Sequence, residues 1–527
     1  MNRTKTSLAA ILSEGRLYFS KSKLPNSEAP PIKKKIELSR PIVIIGSGYG
    51  AAVAALRLCE AGKKVLILEM GINWKESGIP YSGLLTPGRS AAWLKRKTIA
   101  PFMNIFPLKP FTGALDKFNF KNIDVWVGRG VGGGSIVNGG MAVIPKESYF
   151  KEVFPDLDAE KFYNFYFPLA SKELKVNRID EQFVKDCPYY KFTRVGESEA
   201  HKAGFKTVRV PNVYDFKYME REYKNEVPRS ALNTEVIYGN NHGKNSLDKT
   251  YLKKALATGN LEILDLHCVD VITSNDDNSY SLEVRQINTS GKTVADKIVH
   301  CNKLILGAGT MGTLKLLLGS QSNNFPLDHT VGKNWGNNGN FMTGRNWVRP
   351  LSGGTGALQS TIPVGAVDNW EDSEHSFFTE IAPLPMGVDV ATALYLLINR
   401  VDKKGSVTYD KKQSRLILDW NESHTLKMKA NANYFVTKMN RANGGTRSHL
   451  LFKNGFGANI CYHPLGGCVL GESTNLFGKL KEHDNLYVMD GSLIPGTIGG
   501  NPFMTITAIA EYCIENLIEQ GEFTQVS

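Results

Sequence analysis

Cysteine is scarce in this sequence: there are seven among 527 residues, an odd number, and no two form a Cys-x-x-Cys pair. Such a set excludes a disulfide framework and a zinc ribbon. Cys461 and Cys468 lie on either side of His463, but the six residues between the two cysteines match no usual metal-ligand spacing. We therefore expect no metal site and interpret these two side chains as buried thiols.

Long apolar runs are also missing. No stretch reaches the ~18 consecutive apolar residues that a membrane-spanning helix needs. The N-terminal segment opens with basic and then apolar residues, but Glu14 and Arg16 interrupt it, and there is no twin arginine. The sequence therefore has no clear signal peptide. Two alternatives stay open, a protein that remains inside the cell and one whose signal preceded Met1.

Charge is only moderately unbalanced, with 63 basic against 51 acidic side chains and a formal net charge of +12. The longest basic run near the start is Lys33–Lys35, and basic residues elsewhere are spread out rather than interleaved with aromatic ones. This pattern excludes a nucleic-acid-binding arm. It favours a solvated basic surface, with weak attraction to anionic lipid as the alternative.

Glycine, by contrast, is abundant. Fifty glycines among 527 residues exceed the average share of roughly 7% without a three-residue repeat. The hydrophobic share of 42% and the charged share of 22% are typical of a folded protein, and the length predicts more than one domain. We therefore expect glycine-built turns or ligand loops in a folded chain.

A βαβ unit is predicted near the start of the ordered chain, which we expect at Ile36. Residues 41–45 form a β-type run, residues 51–61 carry helix formers, and residues 65–68 form a second apolar run. This order is typical of parallel strands joined by a right-handed crossover. Further strands are predicted at 261–264, 304–306 and 485–489, and a helix at 505–517.

A dinucleotide-binding turn lies inside this unit. Gly46, Gly48 and Ala51 form a G-x-G-x-x-A pattern, which permits a tight turn and close approach of a pyrophosphate to a helix N-terminus. Glu69 ends the next strand 23 residues after Gly46, close to the ~20 expected for an acid that binds a ribose. A 2′-phosphate would be repelled by this carboxylate, so FAD or NAD is favoured over NADP.

A second glycine cluster follows at residues 128–135, with five glycines in seven positions, and continues into residues 138–141. Each glycine would weaken a strand or helix, so the cluster is a poor choice for packing. It is typical of a backbone that passes close to a flat or charged ligand. A surface loop is the alternative.

Three long motifs carry a family resemblance: GRGVGGGSIVNGG at 128–140, CYHPLGGC at 461–468 and DGSLIPGTIGGNPFMTITAIAE at 490–511. They resemble motifs of the glucose-methanol-choline oxidoreductases, which bind FAD. Within that family, bacterial cholesterol oxidases with non-covalent flavin are similar in three further segments, VPNVYDF at 210–216, EVIYGNNHGKNSLDKTYL at 235–252 and FTEIAPLP at 378–385. The resemblance extends from about residue 40 to 520.

The resemblance implies three catalytic residues. His463 would lie over the flavin and accept or relay the substrate hydroxyl proton. Asn501 stands where many relatives carry a histidine, and because an amide is not a base it would orient the substrate oxygen. Glu380, a carboxylate in apolar company, would have a raised pKa and move a proton from C4 to C6 of a steroid. Each residue also has a purely structural alternative. His463 would then be a hydrogen-bonded histidine of the core, Asn501 an asparagine that forms a turn, and Glu380 a glutamate at a strand edge that faces water.

The resemblance also implies the cofactor-binding residues: Gly46, Gly48, Tyr49, Gly50, Glu69, Gly130, Gly134, Ser135, Asn138, Gly139, Gly140, Met141, Val269, Gly309, Asp490, Gly491, Asn501, Pro502 and Phe503. Asn138, Met141 and Phe378 would gate oxygen and pack against the flavin, and the backbone of Val269 would contact adenine. Residues 336–342 and the lid loops near 86–105 depart from the family pattern, which leaves the substrate range open.

The implied fold class is α/β, with a Rossmann-like FAD-binding domain and an α+β substrate-binding domain that has a mainly antiparallel sheet. An N-terminal leader is expected at residues 1–35. The FAD-binding domain is expected at residues 36–85, 120–145, 245–326 and 456–527. The steroid-binding domain is expected at residues 86–119, 146–244 and 327–455.

The implied reaction is oxidation of a 3β-hydroxysterol by O₂ to a 3-ketone and H₂O₂, followed by isomerisation of the Δ5 to the Δ4 double bond. Cholesterol and related sterols, O₂ and a transiently contacted membrane surface are the expected partners, and no nucleic acid or protein partner is expected for what we take to be a secreted monomer. One alternative is a family member that oxidises another bulky alcohol without isomerisation. The other is a lipid-binding protein with a flavoenzyme fold.

Overall fold

The structure is a computed structural model. It describes residues 35–74, 92–97, 107–228, 232, 240–322, 324–346, 359–383, 387, 391–448 and 460–524. The predicted leader at 1–35 lies almost wholly outside these ranges, and so do most of the predicted lid loops near 86–105. No helix within the described ranges is both long and apolar enough to cross a membrane.

The strands of the described chain belong to four sheets. They are β1 (Lys35–Ile45), β2 (Val65–Leu68), β3 (Leu115–Asn119), β4 (Asp124–Gly128), β5 (Thr207–Arg209), β6 (Leu261–Leu264), β7 (His267–Ser274), β8 (Tyr280–Ile287), β9 (Thr293–Leu306), β10 (Asn340–Asn346), β11 (Gly365–Asn369), β12 (Phe377–Glu380), β13 (Ala382–Pro383), β14 (Thr392–Asn399), β15 (Ser406–Asp410), β16 (Arg415–Asp419), β17 (Thr446–Arg447), β18 (Ile460–Cys461) and β19 (Leu486–Val488).

The α-helices pack around these sheets. They are α1 (Tyr49–Glu60), α2 (Glu147–Val153), α3 (Ala159–Lys161), α4 (Phe167–Glu173), α5 (Glu181–Asp186), α6 (Lys191–Lys202), α7 (Phe216–Tyr223), α8 (Tyr251–Ala257), α9 (Thr310–Ser320), α10 (Leu426–Asn443) and α11 (Phe503–Glu519).

The first sheet has the order β6-β2-β1-β9-β8-β7, and β19 also pairs with β9. The pairs among β6, β2, β1, β9 and β19 are parallel, whereas β7, β8 and β9 pair antiparallel. The four residues of β2 are all buried, as expected for a parallel strand covered on both faces. Because β2 and β9 flank β1 on opposite sides, the strand order reverses at the carboxyl end of β1, where doubly wound sheets bind their ligands.

Close packing brings helix α1 against this edge. A Cβ atom added to Gly50 would lie 2.1 Å from the carbonyl oxygen of Met489, so only glycine permits this contact. Helix α1 also packs on α11, whose first residue is Phe503. The C-terminal helix therefore reaches the same edge of the sheet as the first βαβ unit.

The second sheet has the order β17-β10-β14-β12-β11-β5, with β13 beside β14, and its pairs are all antiparallel. Helix α10 packs on β10 and β14. The chain thus combines a Rossmann-like sheet with a mainly antiparallel second sheet, which confirms the predicted fold class. The bounds of the two domains remain predictions.

A small third sheet, in the order β18-β4-β3, connects two motifs of the sequence. Strand β4 ends at Gly128, where the glycine cluster begins, and β18 ends two residues before His463. Because β18 pairs parallel with β4, the residues that follow the two strands leave at the same end.

Several predicted elements are longer in the structure. Strand β1 begins at Lys35 rather than at residue 41, because Lys35 is already in register with Asp296 of β9. Strand β9 spans 14 residues, although only its last three were predicted, because β8 pairs along its first part. Pairing with a distant strand extends an element beyond the apolar run that marks it in the sequence.

Candidate active site

A cavity of about 470 Å³ lies at the carboxyl ends of β1 and β2 and extends toward the second sheet. Its wall takes residues from both large sheets, from the glycine cluster and from the start of α11. Apart from Glu380 at the end of β12, the part formed by the second sheet is apolar and includes Met342, Pro383, Leu394 and Leu396. One end of the cavity is therefore built from backbone turns and the other from apolar side chains.

The dinucleotide turn forms one wall of this cavity. Gly46 has φ +93°, and a Cβ atom there would lie 2.4 Å from the carbonyl oxygen of Gly307. Gly48 caps helix α1 without a side-chain hydrogen bond, and the first turn of the helix has no acidic residue. The N–H groups of this turn are thus available to an anion, which the helix dipole also favours.

Glu69 lies in the cavity wall but is held by donors of the protein. The Ser47 hydroxyl donates to its Oε2 over 2.7 Å, and the backbone N–H of Gly71 donates to Oε1 over 2.9 Å. Gly130 N–H is 3.3 Å from the same Oε1. Burial raises the pKa of Glu69, and the Ser47 and Gly71 hydrogen bonds oppose that effect. The acid predicted from its spacing therefore also connects the dinucleotide turn to the glycine cluster.

The glycine cluster forms the facing wall. Gly132 has φ +102° and begins a short 3-10 turn at Gly133–Ile136. A Cβ atom on Gly133 would lie 2.8 Å from Cα of Gly48, so the two glycine segments touch. A Cβ atom on Gly134 would meet no atom within 4 Å, because this residue faces the open cavity.

Two predicted cofactor residues of this cluster lie behind the wall. Ser135 Oγ donates to the carbonyl of Gly132 over 2.7 Å and accepts from the N–H of Leu247 over 3.1 Å. Gly130 contacts Gly71 and directs its N–H to Glu69. The structure thus places Gly130 and Ser135 where they shape the loop from outside the cavity.

Asn138 connects this loop to helix α1. Its amide nitrogen donates to the Tyr49 hydroxyl over 2.7 Å, while its Oδ1 is buried without a hydrogen-bond partner. The Tyr49 ring stacks on Phe503 with ring centroids 4.9 Å apart. Met141 lies in the cavity wall, whereas Phe378 packs with it in an apolar cluster behind the wall.

The other predicted cofactor residues lie in the wall as well. They are Gly139, Gly140, Val269, Gly309, Asp490, Gly491 and Pro502. Gly309 resembles Gly134 in that a Cβ atom would meet nothing within 4 Å. Asp490 accepts from Thr313 Oγ1 over 2.5 Å and from Ser492 Oγ over 2.6 Å, and burial raises its pKa.

The three predicted catalytic residues come from separate elements and meet in the cavity wall. Glu380 ends β12, His463 follows β18, and Asn501 precedes α11. Glu380 is 4% exposed and its Oε1 has no hydrogen-bond partner. Burial raises the pKa of Glu380 to about 7, and a hydrogen bond from the Asn501 side chain opposes this shift. The amide oxygen of Asn501, Oδ1, is also buried without a hydrogen-bond partner.

His463 is partly buried, and its accessible surface faces the cavity. Burial lowers the pKa of His463 to about 4, so the imidazole is neutral at neutral pH. Its Nδ1 lies 3.1 Å from Nδ2 of Asn340. The flanking thiols Cys461 and Cys468 are both buried and free. Within the described ranges, there is no group of three or more histidine, cysteine, aspartate or glutamate side chains that could hold a metal ion.

Sequence reasoning gave no role to the asparagines of residues 337–340. Asn338 donates to the carbonyl of Gly500 over 2.7 Å and accepts from the N–H of Ile498 over 2.9 Å, which fixes the segment before Asn501. Asn340 contacts His463. The signal available in the sequence was the dense run of asparagines itself, since buried amides in a turn must find hydrogen-bond partners.

The residues present fit a bound dinucleotide. The uncapped N-terminus of α1 suits a pyrophosphate, and the open Cα positions of Gly134 and Gly309 leave space that side chains would fill. Asn138, Glu380 and Asn501 each have a buried oxygen without a partner within the protein. Such atoms are stable only when a ligand or water satisfies them.

Family models agree with this geometry. The model described as GMC oxidoreductase matches residues 111–337 and a second of that description matches residues 424–510. The model described as GMC oxidoreductase, C-terminal, matches residues 338–453. Together the matched ranges run without a gap from residue 111 to residue 510.

Individual relatives are more distant. A cholesterol oxidase of Acinetobacter baumannii is 23% identical over 92% of this chain and 96% of that protein. A cholesterol oxidase of Mycobacterium tuberculosis is 23% identical over 91% of each chain. A long-chain-alcohol oxidase of Arabidopsis thaliana is also 23% identical, over 90% of this chain and 67% of that protein.

Solved structures share the fold at low sequence identity. A fungal aryl-alcohol oxidase has a TM-score of 0.63 and 13% identity, covering 92% of this chain and 99% of its own. The pyridoxine 4-oxidase of Mesorbium loti has a TM-score of 0.61 and 15% identity, covering 91% of this chain and 99% of its own.

Proposed function

Because the chain belongs to the GMC oxidoreductase family and its cofactor is FAD, we propose that it is a cholesterol oxidase. In this proposal O₂ is the electron acceptor, the 3β-hydroxyl of a sterol becomes a ketone, and the Δ5 double bond moves to Δ4. The FAD is held without a covalent bond. The family membership supports the alcohol oxidation, and the sterol and the isomerisation rest on the site.

Glu380 carries the proposal. Oxidation of an alcohol needs one group at the hydroxyl, whereas moving a double bond needs a second group that takes a proton from one carbon and returns it to another. Glu380 is a buried carboxyl with an unpaired oxygen and a pKa of about 7. At neutral pH both of its protonation states are populated, which is the condition for accepting and then returning a proton.

Asn501 and His463 would act on the substrate oxygen. The Asn501 amide already contacts Glu380, so it would hold the oxygen and the carboxyl in fixed relation. The neutral imidazole of His463 offers the same cavity a further polar group. When bound, FAD accepts the hydride that leaves the carbinol carbon.

The shape and polarity of the cavity agree with a sterol. The side chains of Phe118, Trp126, Met342, Leu394 and Leu396 give a large apolar wall. Glu380, His463 and Asn501 add polar groups to the same cavity. A fused apolar ring system with a single hydroxyl has the same distribution of polarity. The names of two relatives, cholesterol oxidases from bacteria, agree with this assignment.

The proposal includes export from the cell and transient contact with a membrane surface. Sterols reside in bilayers, and the net charge of +12 favours approach to anionic lipid. Binding of the enzyme to vesicles of anionic lipid, weakened by salt, is the expected result. Equal binding to neutral and anionic vesicles would contradict the proposed electrostatic attraction between the enzyme and the membrane surface.

The decisive experiment mixes the yellow enzyme with cholesterol in detergent without oxygen and then admits air. We expect bleaching of the flavin, reoxidation with release of H₂O₂, and ultraviolet absorption of a conjugated ketone. Yellow enzyme that never bleaches with sterols would refute the substrate, and a colourless protein that cannot be reconstituted would favour lipid binding without turnover. Acid precipitation should release the flavin into the supernatant if it is held non-covalently.

Substitution of Glu380 separates the two steps. Glu380→Gln should oxidise cholesterol and accumulate the unconjugated ketone, since glutamine keeps the shape but cannot carry the proton. Glu374→Gln is the matched control, because the Glu374 side chain is 83% exposed and lies on the chain six residues away. A Glu380→Gln enzyme that still forms the conjugated ketone at the parental rate would refute the isomerase role.

A second candidate is oxidation of another bulky alcohol without isomerisation. The Arabidopsis long-chain-alcohol oxidase and the Acinetobacter cholesterol oxidase are each 23% identical to this chain. Under this candidate a long-chain alcohol would bleach the flavin faster than cholesterol does. If the reduced flavin also passes its electrons to an artificial dye in preference to O₂, the enzyme is a dehydrogenase rather than an oxidase.

A further inference from the structure

The methionine side chains fall into two groups by their accessibility. Of the twelve in the sequence, nine lie within the described ranges and three lie outside them, Met1, Met103 and Met386. Six of the nine are enclosed in the core and expose at most 1% of their surface: Met219, Met311, Met428, Met439, Met489 and Met504. The other three keep accessible surface, and all three lie in the wall of the cavity: Met70, Met141 and Met342. A small reagent in the cavity can therefore reach a methionine side chain at these three positions.

Met70 differs from the other two because a cation lies against its sulfur. Nη1 of Arg129 donates to the Met70 sulfur over 2.9 Å, and the same guanidinium pairs with Asp116 over 3.0 Å. Oxidation of a thioether begins when a sulfur lone pair attacks the oxidant. A lone pair that accepts a hydrogen bond from a cation is a weaker nucleophile. Met70 should therefore react more slowly than its accessibility predicts.

Met141 and Met342 lie among apolar side chains instead. Met141 packs against an apolar cluster that includes Trp370 and Phe378. Met342 lies on β10 and packs with Leu394 and Ile460. Apolar neighbours leave the lone pairs of this soft, polarisable sulfur available for reaction. These two side chains therefore combine access from the cavity with a reactive sulfur.

We propose that Met141 and Met342 are modification sites, at which hydrogen peroxide oxidises the thioether to a sulfoxide. This inference rests on the proposed function, because the peroxide is the product of the proposed oxidase reaction. The sulfur attacks one oxygen of H₂O₂ and the O–O bond breaks. That oxygen stays on sulfur, and the other leaves as water after proton transfer. The sulfur loses two electrons and the peroxide gains them.

Oxidation of Met342 should reduce the affinity of the enzyme for its own substrate. A sulfoxide is polar, and at Met342 it would lie in the apolar part of the cavity wall beside Leu394. We expect the KM for cholesterol to rise roughly tenfold, since a buried polar group without a partner is costly. The enzyme would thus limit its own activity as peroxide accumulates.

Peptide mapping by mass spectrometry identifies the sites in the unaltered enzyme. Holoenzyme without substrate is exposed to reagent H₂O₂ and digested, and the peptides that carry an added oxygen are located. Among the nine described methionines, we expect sulfoxide first at Met141 and Met342, later at Met70, and last at the six core positions. Oxidation of Met70 or of a core methionine before both of the proposed sites would overturn the proposal.

Turnover connects the two sites to the product. Holoenzyme with excess cholesterol in air should form sulfoxide at Met141 and Met342, whereas the same mixture kept free of O₂ makes no peroxide and should form none. Sulfoxides that appear equally without O₂ would overturn the proposal. If reagent H₂O₂ modifies both sites but cholesterol in air yields no peroxide, the proposed function fails while the selectivity of the two sites stands.

Met342→Leu tests the consequence of oxidation. Leucine is similar in volume and has no sulfur, so the KM of this variant should stay at its own starting value during exposure to H₂O₂. Met428→Leu is the matched control, because Met428 is fully buried in helix α10. Its KM should rise as it does in the parental enzyme. An equal rise in Met342→Leu and in the parental enzyme would overturn the role of Met342.

Discussion

The amide of Asn138 donates to the hydroxyl of Tyr49 over 2.7 Å, joining segments that lie 89 residues apart in the chain. Tyr49 begins helix α1 directly after the dinucleotide turn, and Asn138 lies just beyond the glycine cluster at residues 128–135. The Tyr49 ring also stacks on Phe503 of α11. One side chain therefore holds three separate segments of the cavity wall together.

Tyr49→Phe should lower the free energy of unfolding by about 1–3 kcal/mol, since it leaves the partly buried amide nitrogen of Asn138 without its acceptor. Denaturant unfolding of the holoenzyme measures this change. Tyr218→Phe is the control, because the Tyr218 hydroxyl donates to the carbonyl of Pro228 at an exposed position. Equal losses of unfolding free energy in the two variants would show that the hydrogen bond between Asn138 and Tyr49 stabilises the fold no more than an exposed one does.

Ser47→Ala should weaken FAD binding together with folding. The Ser47 hydroxyl donates to Glu69 over 2.7 Å and accepts from the N–H of Gly132 over 3.0 Å, so its loss leaves two buried groups unpaired. We expect a loss of about 1–3 kcal/mol in unfolding free energy and faster release of flavin on dialysis. Ser290→Ala, at an exposed turn, is the control. Unchanged flavin retention in Ser47→Ala would contradict the role of this network.

Substitutions of Gly134 should affect FAD and spare the fold. A Cβ atom there meets nothing within 4 Å of the protein, so Gly134→Ala and Gly134→Leu have space only where the cofactor binds. We expect the dissociation constant of FAD to rise from alanine to leucine, while unfolding of the FAD-free protein changes little. Gly50→Ala is the contrasting variant, which should affect the fold itself. Its Cβ atom would lie 2.1 Å from the carbonyl oxygen of Met489, and we expect this clash to prevent folding. Tight FAD binding by Gly134→Leu would refute the predicted position of the cofactor.

The pKa values of Glu380 and His463 shift in opposite directions over nearly the same pH range. Folded Glu380 keeps its proton up to a pKa of about 7, whereas an ordinary glutamate loses it near 4.5, so its contribution to stability falls as the pH rises through this range. Folded His463 has a pKa of about 4 against an ordinary 6.5, so its contribution rises with pH. The two contributions largely cancel in the parental enzyme.

Substituting one of the two residues at a time should reveal the pH dependence of stability that the other residue contributes. Relative to the parental enzyme, Glu380→Gln should gain about 3 kcal/mol of unfolding free energy between pH 4.5 and pH 7, because folding raises the pKa of Glu380 from 4.5 to about 7. His463→Gln should lose about the same amount between pH 4 and pH 6.5. Denaturant unfolding at a series of pH values measures both. Parallel pH curves for all three proteins would show that neither group is titrated differently in the folded state.

The local pattern of the sequence was sufficient for the first βαβ unit. The predicted strand at 65–68 coincides with β2, and the helix predicted at 51–61 is α1 at Tyr49–Glu60. A G-x-G-x-x-A turn needs particular backbone angles at Gly46, and an apolar run between polar turns needs burial, so both leave a mark in the sequence. The family motifs added Glu380, His463 and Asn501, which all line the one cavity in the structure.

Hydrogen-bond partners left no such mark. The spacing of Glu69 predicts a ribose-binding acid, but only the fold shows that Ser47, Gly71 and Gly130 already donate to it. Ser135 belongs to the glycine motif, yet its hydroxyl turns away from the cavity to Gly132 and Leu247. The direction of a side chain depends on which segment packs behind it, and that segment is distant in the sequence.

The sequence by itself therefore determined the fold class, the dinucleotide turn and the identity of the groups available for chemistry. Only the tertiary structure decided their state: burial raises the pKa of Glu380 to about 7, and Asn340, 123 residues before His463 in the chain, lies within hydrogen-bond distance of its imidazole. Backbone conformation is a local property that residue types reveal, whereas desolvation and hydrogen bonding arise from segments brought together when the chain folds.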